Sequence, residues 1–135
     1  MNKNILVAFY AILLVLVTGC SKPKDAIDNV FTALQEGDLA ELSRNSSLKT
    51  TKYFSMSALK KCNINRAEYK DNEMALVNKC FLKVYSDLSI TQININVVSD
   101  EEADANVTIM LNEEAVKYRW KVFKVEEVWK VFVSS

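Results

Sequence analysis

Histidine is absent from this 135-residue chain. With it go the commonest general base near neutral pH, the usual partner of a Ser or Cys nucleophile, and the usual zinc ligand. Glycine is scarce as well: Gly19 and Gly37 are the whole supply. That excludes the Gly-rich loops whose backbone amides wrap phosphates, and nucleotide-dependent catalysis with them. There is one proline, Pro23, and no excess of either charge, with 17 basic and 17 acidic side chains. No field of one sign is available to draw in nucleic acid or an acidic surface. Long apolar runs are missing too, with one exception at the start.

Residues 1–4 carry a charged tip, Lys3, and residues 5–17 are uncharged and apolar. This is the layout of a secretory leader. The run is short for a membrane helix, which needs about 20 residues at 1.5 Å each. It ends in Val17-Thr18-Gly19-Cys20, which resembles a bacterial lipobox. The resemblance implies a diacylglycerol thioether on Cys20, cleavage before it, a leader over residues 1–19, a lipidated tether over residues 20–24 and a single domain over residues 25–135. Acyl chains contribute about 0.8 kcal/mol per buried methylene, so two or more hold a protein at a membrane. In sorting of the enterobacterial kind, Ser21 after the lipidated cysteine places the product at the outer membrane, facing the periplasm. The plainer alternative is an uncleaved signal anchor.

Lipid on Cys20 leaves one cysteine pair, Cys62 and Cys80, in a compartment that can oxidise it. We therefore expect a disulfide between them, adding roughly 3 kcal/mol in the chain-entropy model. The alternative is two buried free thiols.

Beyond the tether, Ile27, Val30, Phe31 and Leu34 recur at spacings of three and four, the mark of a helix with one apolar face. Gly37 suits the left-handed residue that ends it, and Asp38 with Glu41 forms a capping box for a second helix that turns Leu39 and Leu42 inward. A polar stretch over residues 43–51 separates these from a short third helix carrying Tyr53, Phe54, Met56 and Leu59, with Cys62 at its end. Asp71 or Asn72 can cap a longer fourth helix with Met74, Val77, Phe81, Val84, Tyr85 and Leu88 on its apolar stripe. After Asp87 the period changes to two and β-branched residues dominate, predicting four strands. Ile93, Ile95 and Val97 share a face, while Leu88 and Ile90 have the opposite parity, so a bulge is expected near Thr91 and Gln92. Residues 100–104 read as an acidic turn. Ala105, Val107, Ile109 and Leu111 alternate in the second strand and Val116, Tyr118, Trp120 and Val122 in the third. Residues 128–133 form the fourth, with Trp129, Val131 and Val133 on one side.

Helices first and an antiparallel meander last is an α+β fold, the N-terminal helices packed on a curved four-stranded C-terminal sheet. Three segments add a resemblance: Val30-Phe31-Thr32-Ala33-Leu34-Gln35-Glu36-Gly37-Asp38, Ala105-Asn106-Val107-Thr108 and Glu127-Val128-Trp129-Lys130-Val131. They are similar to small bacterial lipoproteins of unknown function in the nuclear transport factor 2-like (cystatin-like cone) superfamily. Enzymes of that superfamily place an acid and a base in the cavity between sheet and helices.

By that resemblance Asp28, with Tyr53, Tyr85 or Tyr118, is the conceivable acid–base set, although tyrosines at apolar periodic positions are more often core residues with a wet hydroxyl. Asp100, Glu101, Glu102 and Asp104 lack the Asp-x-Asp-x-Asp-Gly order of a calcium cage and read as a solvated turn. Lys117, Arg119 and Lys121 alternate on one strand face near Lys130, a stripe suited to lipid headgroups or an acidic partner, and still more to plain solvation of an outer sheet face. Trp120 and Trp129 are expected in the core. The leading expectation is therefore a non-enzymatic envelope lipoprotein, without cofactor or metal, that binds an envelope protein or a small apolar ligand. The alternatives are an enzyme using the cone cavity and a protective, toxin-neutralising lipoprotein.

Overall fold

The computed structural model describes residues 22–133. Four helices, α1 (Pro23–Glu36), α2 (Leu39–Asn45), α3 (Leu48–Lys61) and α4 (Glu73–Tyr85), precede four strands, β1 (Ser89–Ser99), β2 (Glu102–Leu111), β3 (Glu114–Val125) and β4 (Val128–Val133). A 3₁₀ turn, Arg66–Tyr69, lies between α3 and α4. The α+β order expected from the periodicities is the order observed. Cys20 and the leader lie outside the described residues.

Pro23 and Lys24, expected in the tether, instead form the first turn of α1. Proline at the first helical position loses no hydrogen bond, because that N–H has no partner inside a helix. The Asp25 carboxylate accepts from the Lys22 N–H at 3.0 Å, tying the entry. At the other end Gly37 adopts φ 70°, and Asp38 N–H closes onto Ala33 O at 2.8 Å. A Cβ on Gly37 would stand 2.6 Å from Asn78 O and 2.7 Å from Leu82 Cγ. Glycine thus sets both the helix stop and the close approach of α4.

Asp38 caps α2 through Glu41 N–H at 3.0 Å. The expected box is half formed, since the Glu41 carboxylate turns to Arg44 at 2.6 Å and Asn45 at 3.1 Å. The third helix corrects the sequence reading more substantially. It runs fourteen residues and takes in residues 48–51 of the supposed polar separator. Ser47 Oγ accepts from Thr50 N–H at 3.1 Å, and that cap lets the helix start early. Only Thr50, Phe54 and Ala58 are buried on it. Tyr53 and Met56, assigned to its apolar face, are 46% and 66% exposed.

Asn72 caps α4, its Oδ1 accepting from Ala75 N–H at 3.1 Å. The face carrying Val77, Cys80, Phe81, Val84 and Tyr85 is buried, whereas Met74 is exposed. Cys62, at the end of α3, is bonded to Cys80 in the body of α4, with Cα atoms 5.3 Å apart. The disulfide expected from cysteine arithmetic is present.

The sheet is an antiparallel meander in the order β1-β2-β3-β4. Its register slips between Ile90 and Gln92, where the parity change predicted a bulge. The acidic turn is shorter than expected: Ser99 pairs with Glu102, so only Asp100 and Glu101 turn, and Glu102 and Asp104 belong to β2. Ala103, Ala105, Val107, Ile109 and Leu111 of β2, Trp120 and Val122 of β3, and Trp129 and Val131 of β4 are buried. They share the sheet face covered by the helices, so both tryptophans are core residues.

The two sheet edges differ. Beside β4, Ser47 N–H donates to Val131 O at 2.9 Å, and the buried Thr50 hydroxyl donates to Val131 O at 3.2 Å while accepting from Val133 N–H at 2.9 Å. Helix α3 thereby closes that edge with a side chain. No strand flanks the outer edge of β1 among the described residues.

Candidate functional site

The space between sheet and helices is filled with rings. Phe54 of α3 is the hub, with ring centroids 5.1 Å from Tyr53, 6.0 Å from Tyr85, 6.1 Å from Tyr118 and 6.0 Å from Trp120. Phe31 of α1 stacks on Trp120 at 5.1 Å, and Tyr118 stacks on the same indole at 5.0 Å. The alternation in β3 aims Tyr118 and Trp120 inward together, and the capped start of α3 sets Phe54 between them and α4.

Three tyrosines singled out in the sequence are thus brought together. Burial pushes the Tyr118 hydroxyl far above its ordinary range, and the nearby Tyr85 and Tyr53 push it further. Burial also raises Tyr85, while its hydrogen bond with Ser57 opposes the rise. Ser57 was not anticipated. It lies one turn beyond Tyr53, so the signal was there once α3 is read as a full-length helix. The Trp120 indole N–H is buried with no hydrogen-bond partner among the described residues. A buried orphan donor of this kind costs about 1–3 kcal/mol.

Asp28 does not join this group. Its carboxylate accepts from Lys24 Nζ at 2.7 Å on the solvent side of α1. The tyrosine cluster therefore holds hydroxyls without the carboxylate that the acid–base reading paired with them. On the opposite sheet face, Lys121 bridges Glu102 and Asp104, each at 3.2 Å, so one member of the basic stripe is paired with two members of the acidic segment. Lys117 and Arg119 line a shallow depression with Gln92, Asn94, Asn106 and Thr108. No cluster of metal-ligating side chains occurs among the described residues, and none of their helices is long and apolar enough to cross a membrane.

A second concavity was missed by periodicity. Leu39, Met56, Leu59, Met74 and Val77 line a groove of about 330 Å³ between α3 and α4, with Lys52 and Glu73 at its rim. Helical spacing alone places both methionines on core faces. Their spacing is helical, but each helix buries a narrower stripe than the apolar pattern offers.

No family model matches this sequence. No curated protein matches it either. Solved structures do, among them a Campylobacter jejuni protein described provisionally as an NTF2-like transpeptidase. It is 19% identical, with 84% of this chain and 100% of that chain covered and a TM-score of 0.40.

Proposed function

We propose that this chain is a lipid-anchored protein of the bacterial envelope whose domain is a cone of the nuclear transport factor 2-like kind, serving as a non-enzymatic binding module. One observation carries the binding reading: the hydroxyls of Tyr53, Tyr85 and Tyr118, with Ser57, gather around an aromatic interior and no carboxylate of the described residues joins them. The rings fill the interior itself, so a small, largely apolar ligand with one or two polar atoms would sit at its rim, where Tyr53 is 46% exposed and Tyr118 half-buried. A hydroxyl whose pKa is raised by burial serves poorly as a base near neutral pH. The anchor rests on the Val17-Thr18-Gly19-Cys20 segment, and the Cys62–Cys80 bond agrees with export to an oxidising compartment.

Two measurements test this. Metabolic labelling with an alkyne-bearing fatty acid should mark the wild type and leave Cys20→Ala unmarked; equal labelling, or none in either, removes the anchor. Native mass spectrometry of the full chain after exposure to an envelope lipid extract should show a small bound species, lost or weakened in Tyr118→Phe. A species retained in that variant would move the site elsewhere, and turnover of an added substrate would refute the non-enzymatic reading.

A further inference from the structure

The outer edge of β1 is unusual for a protein with this much charge. Across its eleven residues, Ser89–Ser99, there is no Lys, Arg, Asp, Glu, Pro or Gly. Proteins normally protect a free edge with such residues, with bulges, with short strands or with a covering loop, and the two register slips of β1 fall at its ends, leaving residues 92–97 regular. Here the strand is long, and Val97 and Val98 near its end are 64% and 53% exposed. The opposite edge is closed by Thr50 and Ser47, so among the described residues one edge is managed and the other is left open.

The strand is also close to a palindrome in polarity. Gln92-Ile93-Asn94-Ile95-Asn96 reads amide, apolar, amide, apolar, amide from either end. An antiparallel pair of identical strands centred on Asn94 sets Ile93 opposite Ile95 of the second copy, Gln92 opposite Asn96, and Asn94 opposite itself. Apolar side chains then meet on the inner face, where Ile93 and Ile95 already pack against the core. Amides meet on the outer face. No charge faces a like charge within the ladder, which would otherwise oppose pairing.

We propose that two copies of this chain join antiparallel along β1, about a two-fold axis through Asn94, to make one continuous eight-stranded sheet. The chemistry favours a second copy over an unrelated segment because the same neutral alternation is needed on both sides and this chain supplies it. Asp87, Asp100 and Glu101 lie just beyond the strand, so acidic groups of the two copies approach at the ends. Added salt should therefore strengthen the dimer, opposite to an association driven by opposite charges.

The register makes the test specific. Residues facing themselves across a two-fold in an antiparallel ladder have Cα atoms about 4.5–5.5 Å apart, within disulfide reach. The full chain carrying Asn94→Cys, oxidised with diamide, should run as a cross-linked dimer on a non-reducing gel, at a yield well above that of the unmodified chain. Asn106→Cys is the control: Asn106 is exposed on the outer face and pairs with Asn94 from β2, one strand further from the axis, and should not cross-link. In sedimentation the unmodified chain should have twice the monomer mass, and Asn94→Lys, which sets two ammonium groups opposite one another, should be monomeric while Asn106→Lys stays dimeric. A monomeric unmodified chain, cross-linking at 106 instead of 94, or a dimer that survives Asn94→Lys would each overturn the proposal.

Discussion

The β2–β3 and β3–β4 turns, Asn112-Glu113 and Glu126-Glu127, hold positive φ and carry backbone strain that can be released. Val125 pairs with Val128, so Glu126 and Glu127 are the whole β3–β4 loop, and both hold positive φ, 50° and 68°. Two-residue loops of this sort match the twist of the flanking strands and favour Asn-Gly. A Cβ in the left-handed region costs roughly 1–2 kcal/mol per residue. Replacing Glu127 by glycine removes that cost but loosens the unfolded chain by roughly 0.4–1 kcal/mol, a net gain near 0.5–1 kcal/mol. Adding Glu126→Asn, with a side chain that tolerates this conformation, should bring the total to roughly 1–1.5 kcal/mol. The interaction sacrificed is the Lys124–Glu127 pair at 3.5 Å, whose carboxylate is 90% exposed; such pairs contribute a few tenths of a kcal/mol at most. For a domain of this size each kcal/mol raises Tm by about 4 °C. The double substitution should therefore melt about 4–6 °C higher, with an unchanged urea m-value. Glu127→Ala, which deletes the charge but keeps a Cβ, should change little. A lower midpoint for the double substitution, or an equal gain from Glu127→Ala, would refute strain as the cause.

Gly37→Ala should destabilise by about 2 kcal/mol or more, since it adds the left-handed cost to a Cβ 2.6 Å from a backbone oxygen; a urea titration checks it. Reducing the Cys62–Cys80 bond, or replacing both residues by serine, should cost roughly 3 kcal/mol in chemical denaturation. Thr50→Val leaves Val133 N–H and Val131 O without the hydroxyl that bridges them; a loss of about 2 kcal/mol is expected, together with faster amide exchange along β4. Because Tyr118 stays protonated in the fold above its ordinary value of 10.0, while the unfolded chain ionises there, its contribution is complete below about pH 10 and is lost as pH rises beyond it. Urea midpoints should fall from pH 9 to pH 11, and Tyr118→Phe should flatten that fall.

The elements legible in the sequence were those where one local rule acted alone. Gly37 and Asp38 marked a helix stop and start, because backbone conformation and capping are short-range. The parity change around Thr91 announced the bulge because side chains in a strand alternate strictly. Helix α3 was underestimated because Lys49, Thr50 and Thr51 look like a linker until Ser47 is recognised as its cap and Thr50 as a partner of Val133 in β4, 83 residues away in the chain. Met56 and Met74 were read as core for want of any sign, in a single helix, of how wide a stripe its neighbours can cover. The tyrosine cluster was half visible. Alternation aimed Tyr118 inward, but Ser57, and the pairing of Asp28 with Lys24 away from the cluster, depend on how α1, α3 and the sheet meet in space.

The hydroxyl of Thr50 has a reach beyond the stability of β4. A sheet with two open borders can add molecules at both, and growth of that kind does not stop by itself. Occupying one border from within turns the fold into a template with a single end, and a two-fold contact consumes that end in both participants. Copy number would then be capped at a pair from the far side of the molecule, where the Thr50 hydroxyl works beside the Ser47 N–H, and loss of that hydroxyl would weaken the closure as well as loosen a strand.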